Sequence, residues 1–398
     1  MGEALTPFDD ALSMVERAVA PLGNQQVALA DAAGRVLAEP IDARCNAPRR
    51  AVSAMDGYAV ILGDVRPGAP LRVIGESCAG AAYPAEVGPG ETVRIFTGAP
   101  LPGGADCVIM QEYARREGDQ VVFSPGYGPG CHVRPAGSDF AAGERLLPAG
   151  TRLTPRAMIA AAAADVDTLT VADRPRIAVV ATGDEIAPPG TAHLQPDGIP
   201  DSVTYGVAAM AAESGGLIVA RCTGADELPA LERLAGEALG QADLVIVTGG
   251  ASVGERDFAK PMFAVHGLDL LFAKVAIKPG KPVWLGRAGK RWVLGLPGNP
   301  TAAMVTARLF LLPLLARLQG QPVAETLRWR QLPLAAPLDA TGGRETFFRA
   351  SWDDDGLRAV VNQDSGAQAV LARADWLIRR PPGCGPLLPG DHVSALAF

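Results

Sequence analysis

The sequence predicts a multidomain fold, a parallel-sheet α/β unit joined to β-rich units. Three observations carry this expectation. At 398 residues the chain exceeds what a single hydrophobic core supports. Between residues 175 and 320, unbroken apolar runs of strand length alternate with helical stretches. That is the pattern of parallel strands covered on both faces. Finally, 46 glycines and 34 prolines supply turns at a density that suits many short elements.

The elements follow in order. "TPFDDALSMVERAV" opens a helix: Thr6 is placed to cap it, Pro7 suits the first turn, and Asp9 and Asp10 favour its positive end. Leu12, Val15 and Val19 form its apolar stripe. From 45 to 145 short apolar runs ("GYAVIL", "LRVIGE", "TVRIFTG") alternate with Gly/Pro turns, which predicts a small β-domain. "ERLLPAGTRLTPRAMIAAAAADV" returns to helix, so residues 1–44 and 146–174 read as one split helical domain around that insertion. Residues 175–320 form the α/β domain, with "RIAVVAT", "LIVARC" and "DLVIVT" as strands and 203–214 and 227–241 as helices. "RWVLGLPGNP" and "TAAMVTARLFLLPLLARL" add a strand, a turn and a helix. After a linker at "GQPVAE", residues 325–398 read as a small C-terminal β-barrel or sandwich.

Composition excludes several functions. A net charge of −7 and a pI near 5.3 are poor material for a nucleic-acid backbone. The cysteines (Cys45, Cys78, Cys107, Cys131, Cys222, Cys384) form no CxxC pair, which argues against structural zinc and fits a reducing cytoplasm. "MGEALTPFDD" has neither a basic nor an apolar leader region. No stretch reads as the roughly 18 apolar residues of a membrane span.

Ligands of open parallel sheets sit at the carboxyl ends of the strands. "DLVIVTGGASVGERD" delivers Gly249 and Gly250 there, where bare backbone N–H groups can approach an anion. The pair alone reads more readily as a plain strand-to-helix turn. Ser252 adds a hydroxyl, and Asp257 stands where a carboxylate could hold Mg²⁺ against a phosphate. "RIAVVATGDEI" places Thr182, Gly183, Asp184 and Glu185 past a second strand, as a site or as a solvated loop. "KPGKP" bends Lys278 and Lys281 toward one point, which suits a compact dianion, although two exposed lysines are the commoner meaning. "LPGNP" sets Pro297, Gly298, Asn299 and Pro300 before a helix N-terminus, an anion site or simple helix initiation. In the β-domain, Asp56, Thr97, Arg134 and Asp139 occupy turns that read locally as caps.

Taken together these stretches resemble one family, the MoeA-type molybdopterin molybdenumtransferases related to the gephyrin E domain. The matching segments are "SAMDGYAV", "FTGAPLP", "RPAGSDF", "ATGDEI", "TGGASVGERDF", "AIKPGKP", "GLPGNP" and "QDSGAQAVLARADWLI", in family order across nearly the whole chain. The resemblance implies a MogA-like α/β domain, a C-terminal β-barrel and a homodimer whose cleft is shared between subunits. It implies a reaction of molybdate with adenylylated molybdopterin that releases AMP. Asp56, Thr97, Asp139 and Glu185 match polar positions implicated in activity. Lys278, Lys281, Arg349 and Ser365 match positions that bind molybdate. The glycine-rich segment, with Gly254, matches the pterin–phosphate side, and Mg²⁺ is implied near Asp257 and Glu185. Molybdopterin adenylyltransferase and molybdoenzyme apo-proteins are the partners so implied; nucleic acid and membrane are not. The chain departs from the pattern at Val52, Ser138, Val203 and Ala302, each losing a polar group. A non-catalytic cofactor-binding or scaffold protein is the alternative those departures leave open.

Overall fold

The structure, a computed structural model, describes residues 5–128, 130–249 and 258–398. Helix α1 spans Phe8–Ala18. Its cap is Pro7, not Thr6; the Thr6 main chain instead bonds Lys274 and Ala276, and no side chain caps the helix. Phe8, Leu12 and Val15 enter the same core as Ile177, Leu244 and Phe310. The first helix therefore packs on the α/β domain.

The rest of the predicted split helical domain is largely not helical. β1 (Asn24–Ala28) pairs with a strand at Thr168–Ala172, and Ile41–Asp42 pairs with Arg145–Leu147. Only α2 (Pro155–Ala163) is helix between 146 and 174, starting where the Thr154 hydroxyl accepts from the Ala157 N–H. The turn at Pro148–Gly150 stops helix formation upstream, and its leucines face the domain's core from strands and loops.

The inserted β-domain is a six-stranded sheet built on β2 (Gly57–Val60), β3 (Pro70–Ser77), β4 (Glu91–Ile95), β5 (Cys107–Met110), β6 (Ala114–Glu117) and β7 (Gln120–Phe123), in the order β5-β2-β4-β3-β7-β6. After β8 (Thr168–Ala172) comes the α/β domain. It comprises β9 (Arg176–Thr182), α3 (Val203–Glu213), β10 (Leu217–Gly224), α4 (Leu228–Gln241), β11 (Leu244–Thr248), β12 (Leu268–Phe272), a short β13 (Ile277–Lys278), β14 (Trp284–Ala288) and β15 (Arg291–Leu296). The six-stranded order is β10-β9-β11-β15-β14-β12. The first four strands are parallel; β14 and β15 are antiparallel, as are β12 and β14. The sheet is therefore mixed rather than wholly parallel. A two-residue turn, with Gly289 at φ 59°, joins β14 to β15, and so short a loop connects only antiparallel neighbours.

Helix α5 (Pro300–Leu318) carries a π-turn at Ala307–Leu311 just before Pro313. Proline has no N–H to donate, and the wider turn absorbs the missing bond. By length and composition α5 is apolar enough to cross a membrane, contrary to the sequence expectation, but 78% of its most apolar window is buried inside the protein. The expected linker near 320 is packed: Val323 is buried and its N–H reaches Glu16 Oε2 at 2.7 Å.

The C-terminal strands are β16 (Arg330–Pro333), β17 (Glu345–Asp353), β18 (Gly356–Ala359), β19 (Trp376–Arg380) and β20 (His392–Ala397). With β13 they form one sheet in the order β13-β17-β19-β20-β16, and β18 pairs with β17. A single bridge, Leu334 to Leu357, links the residue after β16 to β18. Because β13 belongs to this sheet, the "KPGKP" turn sits where the α/β and C-terminal units meet.

Candidate active site

Strands β9, β11 and β15 are parallel neighbours whose last pairs, Ala181–Thr248 and Thr248–Leu296, end in register. Three turns therefore emerge side by side, beginning at Thr182, Gly249 and Pro297. They are very close. A Cβ on Gly249, whose φ is 94°, would stand 2.6 Å from the Thr182 carbonyl oxygen, and one on Gly298 would stand 3.2 Å from Gly249 Cα. Glycine at these two positions is what lets the turns converge.

The turns floor a cleft of about 660 Å³. Of the predicted residues, Thr182, Gly183, Glu185 and Gly249 line it, as does the whole turn 297–300. Thr182 is nearly buried and Glu185 is exposed. Asp184 is not on the lining; its Oδ1 accepts the Asp226 N–H at 2.9 Å and staples the loop.

Three further lining residues were not foreseen. Asp201, 9% exposed, lines the cleft at the start of α3 and accepts from the Thr204 N–H at 3.1 Å and from the Thr204 hydroxyl. Asp226 and Gln368 also line it. The signal for Asp201 was a carboxylate three residues before Thr204 at a helix start. Gln368 carried none, since it arrives from a distant loop. That loop is docked by Thr301 Oγ1 donating to the Ala367 carbonyl at 2.6 Å and Asn299 Nδ2 donating to Ser365 Oγ at 2.9 Å. Of the four departures, only Val203 lines the cleft; Ala302 is buried in α5.

None of the predicted oxyanion residues lines the cleft, although Ser365 is bonded to the lining residue Asn299. Lys278 and Lys281 are exposed on one turn, which continues into the lining residue Pro282. Lys278 pairs with Thr346 on β17, three residues before Arg349. Arg349 is 1% exposed, its Nη2 donates to the Asn362 and Asp364 carbonyls at 3.4 and 3.3 Å, and its Nε has no partner among the described residues. Burial pushes its guanidinium down to about 10, while the Asp364 charge opposes that shift.

Asp56, Thr97 and Asp139 lie in the inserted β-domain, off this cleft. Asp56 Oδ1 accepts from the Thr97 N–H at 2.7 Å and the Thr97 hydroxyl at 2.8 Å. These bonds, main-chain first, hold the Asp56 carboxyl below the usual range, helped by Arg94. Asp139 is exposed at a turn where its N–H donates to the Ala47 carbonyl. Gly250, Ser252, Gly254 and Asp257 lie outside the described residues.

Among the described residues no group of three or more His, Cys, Asp or Glu side chains is placed to hold a metal ion. Magnesium, however, is commonly held by one or two carboxylates plus substrate phosphate oxygens. Exposed Glu185 on the cleft fits such a partial donor set.

Three family models match in succession: the MoeA N-terminal region (domain I and II) over residues 6–164, a probable molybdopterin binding domain over 178–317, and the MoeA C-terminal region (domain IV) over 331–398. A protein of Nostoc sp. named molybdopterin molybdenumtransferase is 34% identical over 409 residues, covering 97% of this chain and 92% of the relative. The chain belongs to the MoeA family. Molybdopterin molybdenumtransferase 2 of Mycobacterium tuberculosis is 35% identical over 339 residues, 82% of this chain and 83% of that one. A solved MoeA protein of Pyrococcus horikoshii OT3 superposes with a TM-score of 0.85 at 25% identity, covering 99% of this chain and 100% of that one. A second MoeA structure from Pyrococcus gives 0.79 at 28% identity, covering 99% of each.

Proposed function

We propose that the chain is a molybdopterin molybdenumtransferase of molybdenum cofactor biosynthesis, acting on adenylylated molybdopterin and molybdate and releasing AMP. The observation that carries the reading is the convergence of Thr182, Gly249 and Gly298 in one cleft beside exposed Glu185, in a chain of this family. The glycine turns admit a phosphoanhydride close to the main chain. Arg349 supports the oxyanion assignment: a guanidinium whose buried N–H is unpartnered among the described residues is a slot for an acceptor. Lys278 and Lys281 add charge near it, and Asn299 fixes Ser365. No covalent nucleophile is required; the chain's residues bind, orient and neutralise charge. Glu185 and Asp257 would hold magnesium, which when bound offsets the charge of the phosphoanhydride.

The location of Asp56, Thr97 and Asp139 off the cleft of their own chain supports a homodimer in which a partner copy completes the site. Light scattering at micromolar concentration tests this: a mass of two chains is expected, and a 41.1 kDa species alone would exclude it.

The experiment for the activity is AMP release from adenylylated molybdopterin with and without molybdate. Molybdate-dependent release is expected. One observation favours the second reading, a protein that binds the cofactor without turnover: Val203 presents an apolar side chain to the cleft. Tight substrate binding with no AMP released would favour it.

A further inference from the structure

Asp56 is held by a frame whose members meet at one side chain that the sequence reading did not single out. Its Oδ1 takes both donors of Thr97, and its main-chain carbonyl accepts the Gln111 N–H at 3.0 Å. Arg94 reaches each of the segments involved. Its Nη1 donates to the carbonyl of Gly57, the residue after Asp56, at 3.0 Å, and its Nη2 donates to Gln111 Oε1 at 2.5 Å. The guanidinium lies 5.2 Å from the Tyr58 ring centroid and 4.9 Å from that of Phe96, the residue before Thr97. Arg94 is also the register partner of Tyr58 across β2 and β4. The main chain beneath has no slack, because a Cβ on Gly57 would stand 2.0 Å from the Ile109 carbonyl oxygen.

Arg94 forms no salt bridge among the described residues; its charge acts on the Asp56 carboxyl at longer range, and its hydrogen bonds are with the frame. A planar fork can bridge two acceptors while its faces stack on rings; a lysine ammonium cannot do both. We propose that Arg94 is a positioning residue for the reaction. It clamps Gly57, Phe96 and Gln111 so that the Asp56 carboxylate presents its second oxygen in one orientation. This rests on the reading of Asp56 as a residue of the reaction site.

The test compares Arg94→Ala, Arg94→Lys, Gln111→Leu and Asp56→Asn in the full-length protein, by molybdate-dependent AMP release and by the Thr97 amide resonance in NMR spectra. Arg94→Ala is expected to lower kcat by up to about 10²-fold, the scale of a group misplaced by an ångström, with the KM for molybdate unchanged. Arg94→Lys should recover part of that loss. The Arg94→Ala effect should vanish on an Asp56→Asn background, because the two act through one carboxylate. The Thr97 amide should move away from its carboxylate-bonded position in Arg94→Ala and move less in Arg94→Lys. Truncating Arg94 also strips two ring contacts, so if that variant unfolds, Gln111→Leu decides. Gln111 is exposed, and its loss removes one bond of the clamp without touching the stack; a kcat loss with a shifted Thr97 amide is again expected. An unshifted Thr97 amide, or an Arg94→Ala loss that persists at full size with Asp56→Asn, would overturn the proposal. Wild-type turnover by Asp56→Asn would instead sink the role of Asp56, leaving the clamp to be judged by the Thr97 amide alone.

Discussion

Replacing Gly249 by alanine tests whether the convergence of the three turns creates the site. Two costs follow from the geometry. The residue sits at φ 94°, outside the region L-residues prefer, which costs about 1–2 kcal/mol. The new methyl would stand 2.6 Å from a main-chain oxygen, Thr182 O, which no side-chain rotation relieves. Overpacking of that kind adds about 1–3 kcal/mol. The sum, about 2–5 kcal/mol, falls on the α/β domain. A multidomain chain does not unfold in one step, so the cost is read as faster amide exchange in the strands that end at Thr182 and Thr248, not as a global stability. Gly298→Ala is the internal control: its φ is not in the left-handed region and its nearest contact, Gly249 Cα at 3.2 Å, is less severe. Gly249→Ala should therefore be the more destabilised and the slower in AMP release. Equal stability of Gly249→Ala and wild type, or a greater loss in Gly298→Ala, would refute the reasoning.

Arg349→Met keeps much of the buried volume and removes the charge; it should raise the molybdate concentration for half-maximal turnover while the melting temperature changes little, and an unchanged molybdate requirement would count against the assignment. Asp201→Ala removes both acceptors of Thr204 at the start of α3 and should cost about 1–2 kcal/mol, read as faster amide exchange in the first turn of that helix; unaltered exchange would show that Asp201 does not anchor it.

Much of this organisation was legible in the sequence because the α/β domain is built from local signals. "RIAVVAT" and "DLVIVT" are apolar between their end residues, as doubly covered strands require, and both are strands in the structure, Arg176–Thr182 and Leu244–Thr248. The glycines at their ends marked the cleft. The antiparallel edge was less visible, since the apolar content of β14 does not reveal strand direction; the turn at Gly289 does. The region 146–174 misled because alanine-rich sequence after Thr154 invites extension of the helix backward, past a proline and a glycine that stop it. Residues brought in by tertiary docking left the faintest trace. Gln368 reaches the cleft only because Thr301 and Asn299 hold a loop more than sixty residues away. Arg94 looks like any strand arginine until Gly57, Phe96 and Gln111 are seen around it.

Turnover of adenylylated molybdopterin in this cleft is read as AMP release by the purified protein with magnesium, with molybdate present or withheld, for the wild type beside Glu185→Gln. Molybdate-dependent release by the wild type is expected, with a loss of about 10²-fold or more in Glu185→Gln, the scale of removing one electrostatic stabiliser. Release that ignores molybdate, or that proceeds at wild-type rate without the Glu185 carboxylate, would contradict it.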